Sequence, residues 1–363
     1  MSSKYKLGQL LEIKYGKDHK KLLEGTIPVY GSGGIIRYVD KYLYNEESIL
    51  IPRKGTLTNL FYINEPFWTV DTIFWSKINH NLVEGKFLFY YLKTIDFAGL
   101  NVGSAVPSLT TKILNEISIN LPSFKQQQKI ASILSSLDDK IELNNKMNQT
   151  LEKMAQTIFK EWFEEFNFPN AEGKPYKTNG GAMHPSELGE IPEGWEVKEF
   201  KNIINLFSGK RPPVKKDVQS IEYNIPIVGA SKIMGYTNSV LLNEKVLIIG
   251  RVGTLGVVQK YDYEIWVSDN TLIFRTKYYE YVNQVLKKIN YMSLNRGSTQ
   301  PLITQGDINQ IKTLIPKSNI LEKFESLMKP FFKQIKQNQQ QTQTLTKLRD
   351  TLLPKLMSGE IKV

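Results

Sequence analysis

IPVYGSGGIIRYVDKYLYNEESILIPRKGTL, residues 27–57, lies without a gap on IPIVGASKIMGYTNSVLLNEKVLIIGRVGTL, residues 225–255, with 13 identities in 31 positions. A match of that length decides architecture before any motif does, because a chain that repeats itself builds the same unit twice. At the same offset of 198, Trp68 and Asp71 fall on Trp266 and Asp269. A second stretch, NVGSAVPSLTTKILNEISINLP (101–122), matches NRGSTQPLITQGDINQIKTLIP (295–316) at 8 of 22 positions with an offset of 194, which holds through the helical segments beyond.

Each half reads as a module of roughly 120 residues followed by one long helix of about 40. Short apolar runs such as SILIP, VLIIGRV and LIFR predict strands, and GKFLFYYLKTI and YVNQVLKKI predict helices, so the modules are mixed and the fold class is α+β. The implied boundaries are 1–122 and 195–316 for the modules, 123–166 and 317–357 for the long helices, 167–194 for a connecting loop and 358–363 for a C-terminal tail. The connection holds five glycines and four prolines, which argues against any regular element there.

In the first long helix, alternate steps of four and three select Ile130, Leu134, Leu137, Ile141, Asn144, Asn148, Leu151, Ala155, Ile158 and Trp162, a coiled-coil seam. Adding 194 gives Phe324, Met328, Phe331, Ile335, Asn338, Thr342, Leu345, Arg349, Leu352 and Leu356. One such line alone equally fits the core face of an ordinary amphipathic helix. Two matched lines make each helix the simplest partner of the other, paired antiparallel so that the internal repeat becomes a pseudo-two-fold. That register sets Asn144 against Thr342 and Asn148 against Asn338; any shifted register leaves amides against Leu or Phe, at about 1 to 3 kcal/mol per unsatisfied group. The polar layer then pins the distance between modules, with a layer facing water or a third helix as the alternative. A helix from 126 to 162 spans roughly 55 Å, on the scale of one to two turns of B-DNA at ~34 Å each.

The 363 residues carry 47 Lys+Arg against 36 Asp+Glu, a formal net charge of +11. Residues 1–166 hold 20 basic against 18 acidic groups and residues 167–363 hold 27 against 18, so the excess lies in the second half. A polyanion such as nucleic acid suits that balance through counterion release, as does a basic surface kept for solubility. There is no cysteine, which excludes disulfides, thiol nucleophiles and Cys-type zinc sites. No run approaches the ~18 apolar residues of a membrane span, and MSSKYKLGQLLEIKYGK is too charged for a signal peptide; a soluble cytoplasmic protein is expected.

Enzyme motifs are missing. There is no GxxxxGK[ST] phosphate cradle and no Asp/Asn/Ser-Pro-Pro-aromatic tetrapeptide of amino-methyltransferases; the one Pro-Pro lies in Arg211-Pro212-Pro213-Val214. His19, His80 and His184 are scattered and do not recur, which fits surface or core histidine better than a metal ligand or base. What recurs is a glycine followed by basic residues: YGKDHKK (15–21), with Lys17, Lys20 and Lys21, matches SGKRPPVKK (208–216), with Lys210, Arg211, Lys215 and Lys216. Such loops suit phosphate contacts, and arginine also reads guanine edges, though a solvated loop fits them as well. Arg296 and Gln300 in NRGSTQP either face DNA or cap a turn. Arg53 and Arg251 recur in RKGTL and RVGTL, where a strand-turn role is at least as good.

LPSFKQQQKIASILSSLDDKIELNNKMNQTLEKMAQTIFKEWF (121–163), GKPYKTNGG with ELGEIPEGWEV, and the ending LTKLRDTLLPKLMSGEI closely resemble the conserved regions of the DNA specificity subunits of Type I restriction-modification systems. The resemblance covers nearly the whole chain, while the modules resemble target-recognition domains in outline. It implies that each domain reads one half of a split double-stranded DNA target and that the helix pair sets the gap. Two modification (adenine methyltransferase) subunits would dock on the helices, and restriction subunits would join them. S-adenosylmethionine, ATP and Mg would sit on those partners, leaving this chain without a cofactor. One departure touches the equivalence of the docking sites: QQQKI opens the first helix, and its counterpart is ILEKF. A stand-alone DNA-binding regulator on a coiled-coil spacer is the alternative; a methyltransferase or nuclease in its own right is disfavoured by the missing motifs.

Overall fold

The computed structural model describes residues 3–101 and 106–363, so Gly103 and Ser104, two of the repeat identities, lie outside the described residues. The chain divides into two compact units, Met1–Lys146 with Asn338–Val363 and Met147–Gln337. Among the described residues no helix is long and apolar enough to cross a membrane.

The first unit is organised by Ser48–Pro52, an apolar strand buried along its whole length. A strand buried on both faces needs neighbours on both edges, and it has them. The antiparallel sheet runs Leu11–Tyr15, Ile73–Ile78, Ser48–Pro52, Phe61–Ile63. A three-stranded sheet orders Gly34–Val39, Ile27–Gly31 and Trp68–Thr69, the last pair parallel. Ser3–Lys6 pairs with Ser118–Leu121. Helix Gly85–Leu92 starts where Glu84 accepts the backbone N–H of Phe87, and buries Phe87, Leu88 and Leu92. Ile130, Ala131 and Leu134 of the long helix Phe124–Phe163 complete this core, together with Leu356 of the long helix Ser318–Ser358.

The second unit repeats this topology strand for strand. Asn205–Ser208, Thr271–Arg275, Val246–Gly250 and Gln259–Tyr261 form the four-stranded sheet. Ile233–Thr237, Ile225–Val228 and Trp266–Val267 form the three-stranded one, and Glu196–Glu199 pairs with Lys312–Ile315. Its core is aromatic: Phe163 lies 5.0 Å from Phe324 and 5.9 Å from Trp195, ring centre to ring centre. The fold is α+β, with two repeated mixed domains and a long helix after each.

The connection 167–194 departs from the loop expected there. Met183–Ser186 and Gly189–Pro192 form an antiparallel hairpin closed by Glu187 and Leu188, with Gly189 at φ 97°. Ser186 Oγ accepts from the Leu188 N–H at 3.2 Å and donates to the Gly189 carbonyl at 2.6 Å. In a two-stranded ribbon both strands are edges, so Pro185 and Pro192 need only turn their missing N–H away from the ladder. Phe168 stacks on Tyr176 at 4.6 Å and on Trp195 at 4.9 Å, so the connection is anchored to the second core. Phe166 holds a left-handed φ of 60° just past the first long helix, a conformation that disfavours side chains, and its ring rests edge-on against Trp195 at 5.8 Å.

Every residue of both heptad lines is buried or half-buried. Within the first unit the two helical segments run antiparallel. Asn144 Nδ2 donates to Gln341 Oε1 at 3.0 Å and Thr342 Oγ1 at 3.4 Å. Asp138, earlier on the same helix, accepts from Arg349 Nη1, farther along the other one, at 2.7 Å. Asp138 also accepts the Tyr90 hydroxyl at 2.7 Å, tying the module to both helices. Within the second unit, Phe159 and Trp162 face Phe324 at 6.1 and 5.8 Å.

A charged cluster lies beside that second core. Glu280, 3% exposed, receives Lys260 at 2.7 Å and Lys245 at 3.3 Å. Glu325 on the long helix accepts the N–H groups of Glu280 and Tyr281 at 2.8 and 2.9 Å, capping helix Tyr279–Lys288. Burial pushes the Glu325 carboxyl up to about 7, against the lowering effect of those N–H groups, and the charge on Glu280 adds to the rise. Burial likewise lowers Lys260, to about 8, opposed by Glu280.

Asp138→Ala leaves the Tyr90 hydroxyl and Arg349 Nη1 without a partner, while Arg349 keeps Asp350 at 2.7 Å, and is expected to destabilise the chain by about 1 to 3 kcal/mol, the range for a half-buried group left unpaired. Denaturant unfolding measures it, and Asp138→Ala with Arg349→Ala should cost less than the sum of the singles. For Glu325, the folded chain retains a proton between its ordinary 4.5 and about 7 that the unfolded chain releases. Its contribution is therefore full below 4.5 and is lost as pH rises through 7. Glu325→Gln keeps the acceptor without the titration and should flatten the fall in stability across that window, by up to about 1.4 kcal/mol per pH unit. Identical urea midpoints against pH in variant and parent would exclude Glu325 as its source.

Candidate nucleic-acid interface

In both units the glycine before the basic loop packs against backbone. A Cβ on Gly16 would lie 2.0 Å from the Val70 carbonyl oxygen, and one on Gly209 would lie 2.1 Å from that of Ser268. Only glycine permits that approach. The next residue is clamped twice. Lys17 N–H donates to Thr69 O at 2.8 Å and its carbonyl accepts Trp68 Nε1 at 2.9 Å; Lys210 does the same with Val267 and Trp266, both at 2.8 Å. The recurrence of Gly-Lys and of tryptophan therefore has a structural cause. The clamp uses only the lysine backbone, which leaves each ammonium in solvent.

Lys17, Lys20, Lys21, Lys210 and Arg211 are exposed and form no ion pair among the described residues. Asp18 turns the first loop by accepting the Lys20 N–H at 3.0 Å, and that hydrogen bond holds its carboxyl below the usual range. In the second loop Lys215 lies 3.4 Å from Asp217, and Lys216 Nζ sits 5.4 Å over the Tyr223 ring. The ammonium groups of Lys17, Lys20, Lys21 and Lys210, without a carboxylate in ion-pair reach on a backbone fixed at its first residue, suit phosphate contacts.

Other candidates are committed within their own units. The Arg296 guanidinium pairs with Asp307, which also accepts the Thr304 N–H and hydroxyl at the start of helix Gln305–Asn309. Gln300 is exposed on the same loop, whose shape comes from Asn295 Oδ1 accepting the Gly297 and Leu302 N–H groups. Arg53 Nη1 reaches the Asp71 carbonyl at 3.1 Å, and Arg251 Nη1 reaches Ser208 Oγ at 3.5 Å. Both arginines also exchange backbone hydrogen bonds across the turn, with Thr72 and Leu109 in the first unit and with Asn270 and Ile303 in the second. The structure gives Arg53 and Arg251 the strand-turn role. In the helices, Asn144 and Asn338 are buried while Asn148 and Thr342 are half-buried.

Three features escape sequence reasoning. Gln127, from the glutamine run, is buried, accepts the Glu84 N–H at 3.0 Å and donates to Pro122 O at 3.0 Å, so it joins helix to module. Lys245, Lys260, Glu280 and Glu325 meet although they are scattered along the chain. Ile35 and Ile36 sit in solvent on strand Gly34–Val39. For that pair a signal existed: their repeat partners Ile233 and Met234 keep an apolar pair beside a turn whose other residues change.

The description Type I restriction modification DNA specificity domain matches residues 2–153 and 192–347, one stretch in each half of the repeat. The MjaIX specificity subunit of a Type I restriction enzyme from Methanocaldococcus jannaschii is 31% identical over 352 residues, covering 88% of this chain and 79% of the relative. The HindI specificity subunit from Haemophilus influenzae is 25% identical over 366 residues, covering 78% of this chain and 79% of its own. Among solved structures, the S subunit of a Type I restriction-modification system from M. genitalium shares the fold with a TM-score of 0.69 at 17% identity, over 98% of this chain and 96% of its own. Matched through both repeats and along most of the length of its relatives, the chain belongs to the family of DNA specificity subunits of Type I restriction-modification systems.

Proposed function

We propose that this non-catalytic subunit reads a bipartite double-stranded DNA target, each module taking one half and the long helices setting the number of unspecified base pairs between them. The observation that carries it is the repeat in three dimensions. Two modules of one topology each present unpaired lysines from a loop clamped in the same way by glycine and tryptophan. A symmetric reader of two dissimilar half-sites needs this: a common frame with a variable surface.

The helices serve as the ruler because each is a single element, of 40 and 41 residues. At ~1.5 Å per residue that is roughly 60 Å of stiff rod. The antiparallel contact of Asn144 with Thr342 would pin the register where the two helical segments meet. Modification subunits, two by the logic of the repeat, would dock on the helices, and restriction subunits would join through them in the cytoplasm. S-adenosylmethionine, ATP and Mg would belong to those partners, and base flipping for adenine methylation would be the methyltransferase's work.

Lys210, Arg211, Lys215 and Lys216 replaced together by alanine should weaken binding to any duplex and flatten the plot of log K against log salt by roughly 0.9 for each phosphate no longer neutralised. Fluorescence anisotropy across a salt series reads this, and an unchanged slope would place the phosphate-binding surface elsewhere. Inserting seven residues in phase into both long helices should lengthen the unspecified gap in the methylated motif while leaving both half-sites intact. Methylome sequencing of a host carrying the variant reads that directly; a motif of unaltered length would sink the ruler.

A further inference from the structure

In each unit the three-stranded sheet ends in an edge strand that turns apolar side chains outward. Ile35, Ile36 and Tyr38 on Gly34–Val39 are 48%, 53% and 51% exposed. Their repeat partners Ile233 and Met234 on Ile233–Thr237 are 40% and 37% exposed. In the strand order this strand has a strand neighbour on one side; on the other, in the second unit, Lys216 forms an isolated antiparallel bridge to Tyr236. Exposed aliphatic pairs on an edge strand invite association with other chains, and natural edges usually carry lysine, proline or a bulge there instead. Both copies do have the bulge, at Val29/Tyr30 and at Pro226/Val228, which thrusts Ile36 or Met234 out of the ladder.

Lysines lie next to these pairs in both units, with carboxylates among them: Asp18 and Asp71 near Lys20 in the first, and Asp217 paired with Lys215 in the second. In the first, Arg37 Nη2 donates to Leu22 O at 3.1 Å, and Leu23 and Asp40 exchange hydrogen bonds of 3.0 and 3.1 Å, fastening the lysine loop along the strand. Lys20 and Ile36 line one depression together with Asp18, His19, Val70 and Asp71. In the second, Lys216 and Tyr236 exchange backbone hydrogen bonds of 2.9 and 2.7 Å, which runs Lys215-Lys216 beside the strand, and Lys232 is exposed at its turn. An apolar ridge between cations is complementary to a groove whose floor is base edges and whose walls are phosphates.

We propose that this edge strand is the base-reading element of each module, its hairpin lying in the major groove with Ile35 and Ile36, or Ile233 and Met234, against base edges while the adjacent lysines neutralise the flanking phosphates. The inference rests on the DNA-reading function proposed above. The groove is about 12 Å wide and admits a two-stranded ribbon. The one apolar group that base pairs display there is the thymine C5 methyl, so apolar side chains select A·T pairs at the positions they meet. Each half-site should accordingly contain a thymine contacted by its module. Lysine supplies affinity without sequence, and the ridge supplies sequence.

The test uses the full chain assembled with its modification subunits. Ile35→Ser with Ile36→Ser, and separately Ile233→Ser with Met234→Ser, alter exposed positions only. Each double variant should lower the ratio of target to non-target affinity by about tenfold or more, leave the salt slope of non-target binding unchanged, and relax one half of the methylated motif, a different half for each. Retained non-target binding at the parent's slope shows that a variant is folded; Ile36→Thr and Met234→Thr give the same reading with smaller changes. An unaltered affinity ratio and motif would overturn the inference. So would a parent that self-associates in sedimentation while the variants do not, which would assign the ridge to a second copy of the chain. A parent without preference for any duplex would instead overturn the DNA-reading function itself.

Discussion

Closing each hydrophobic core takes residues from the long helices as well as from the module. Sheet and short helix in the first unit bury Leu10, Ile51, Phe74 and Phe87, but the face they leave is covered by Ile130 and Leu134 from one long helix and Leu356 from the other. In the second unit Phe159, Trp162, Phe163, Phe324 and Met328 do the same for Phe274 and Tyr281. An apolar face costs roughly 25 cal/mol for each Å² left in water, so a module detached from its helical segments would be a poor folding unit. Attachment and stability are one interaction here. Asp138, gripping Tyr90 and Arg349 together, and Gln127, gripping Glu84, add direction to what packing alone would leave slippery.

Much of this architecture is legible in the letters because the repeat reports it twice. Residues 27–57 and 225–255 show the equivalence of the sheets, and the heptad lines show which helix face is buried, including an arginine at a seam position that Asp138 later explains. What the letters could not carry is the reason for each recurring letter within the repeat. Gly16-Lys17 and Gly209-Lys210 look like phosphate loops, yet the glycine is required by a carbonyl against its Cα and the lysine backbone is held by an indole. The side chain, free to do something else, is the part that repetition does not explain.

The misreading of 167–194 has a local cause. Proline and glycine are punctuation inside a wide sheet or a helix, where every N–H is needed. In an isolated two-stranded ribbon they are tolerated, and the aromatic residues among them, Phe168, Tyr176 and Trp195, carry the ordering that hydrogen bonding alone would not. The Lys245–Lys260–Glu280–Glu325 cluster is illegible for the opposite reason. Its members come from the sheet and its margin, a short helix and a long one, and nothing in their spacing brings them together before the fold does.

The partition of the chain into Met1–Lys146 with Asn338–Val363 on one side and Met147–Gln337 on the other also orders events in time. The second unit is continuous in sequence and holds all its own core residues once residue 337 has left the ribosome. The first unit, although its sheets are synthesised earliest, waits for Leu356, Arg349 and Thr342 to arrive from the far end. During synthesis at ~5 to 20 residues per second, the half made first is the half finished last. A premature stop just beyond residue 337 would thus damage the module at the start of the chain, leaving the nearer one whole.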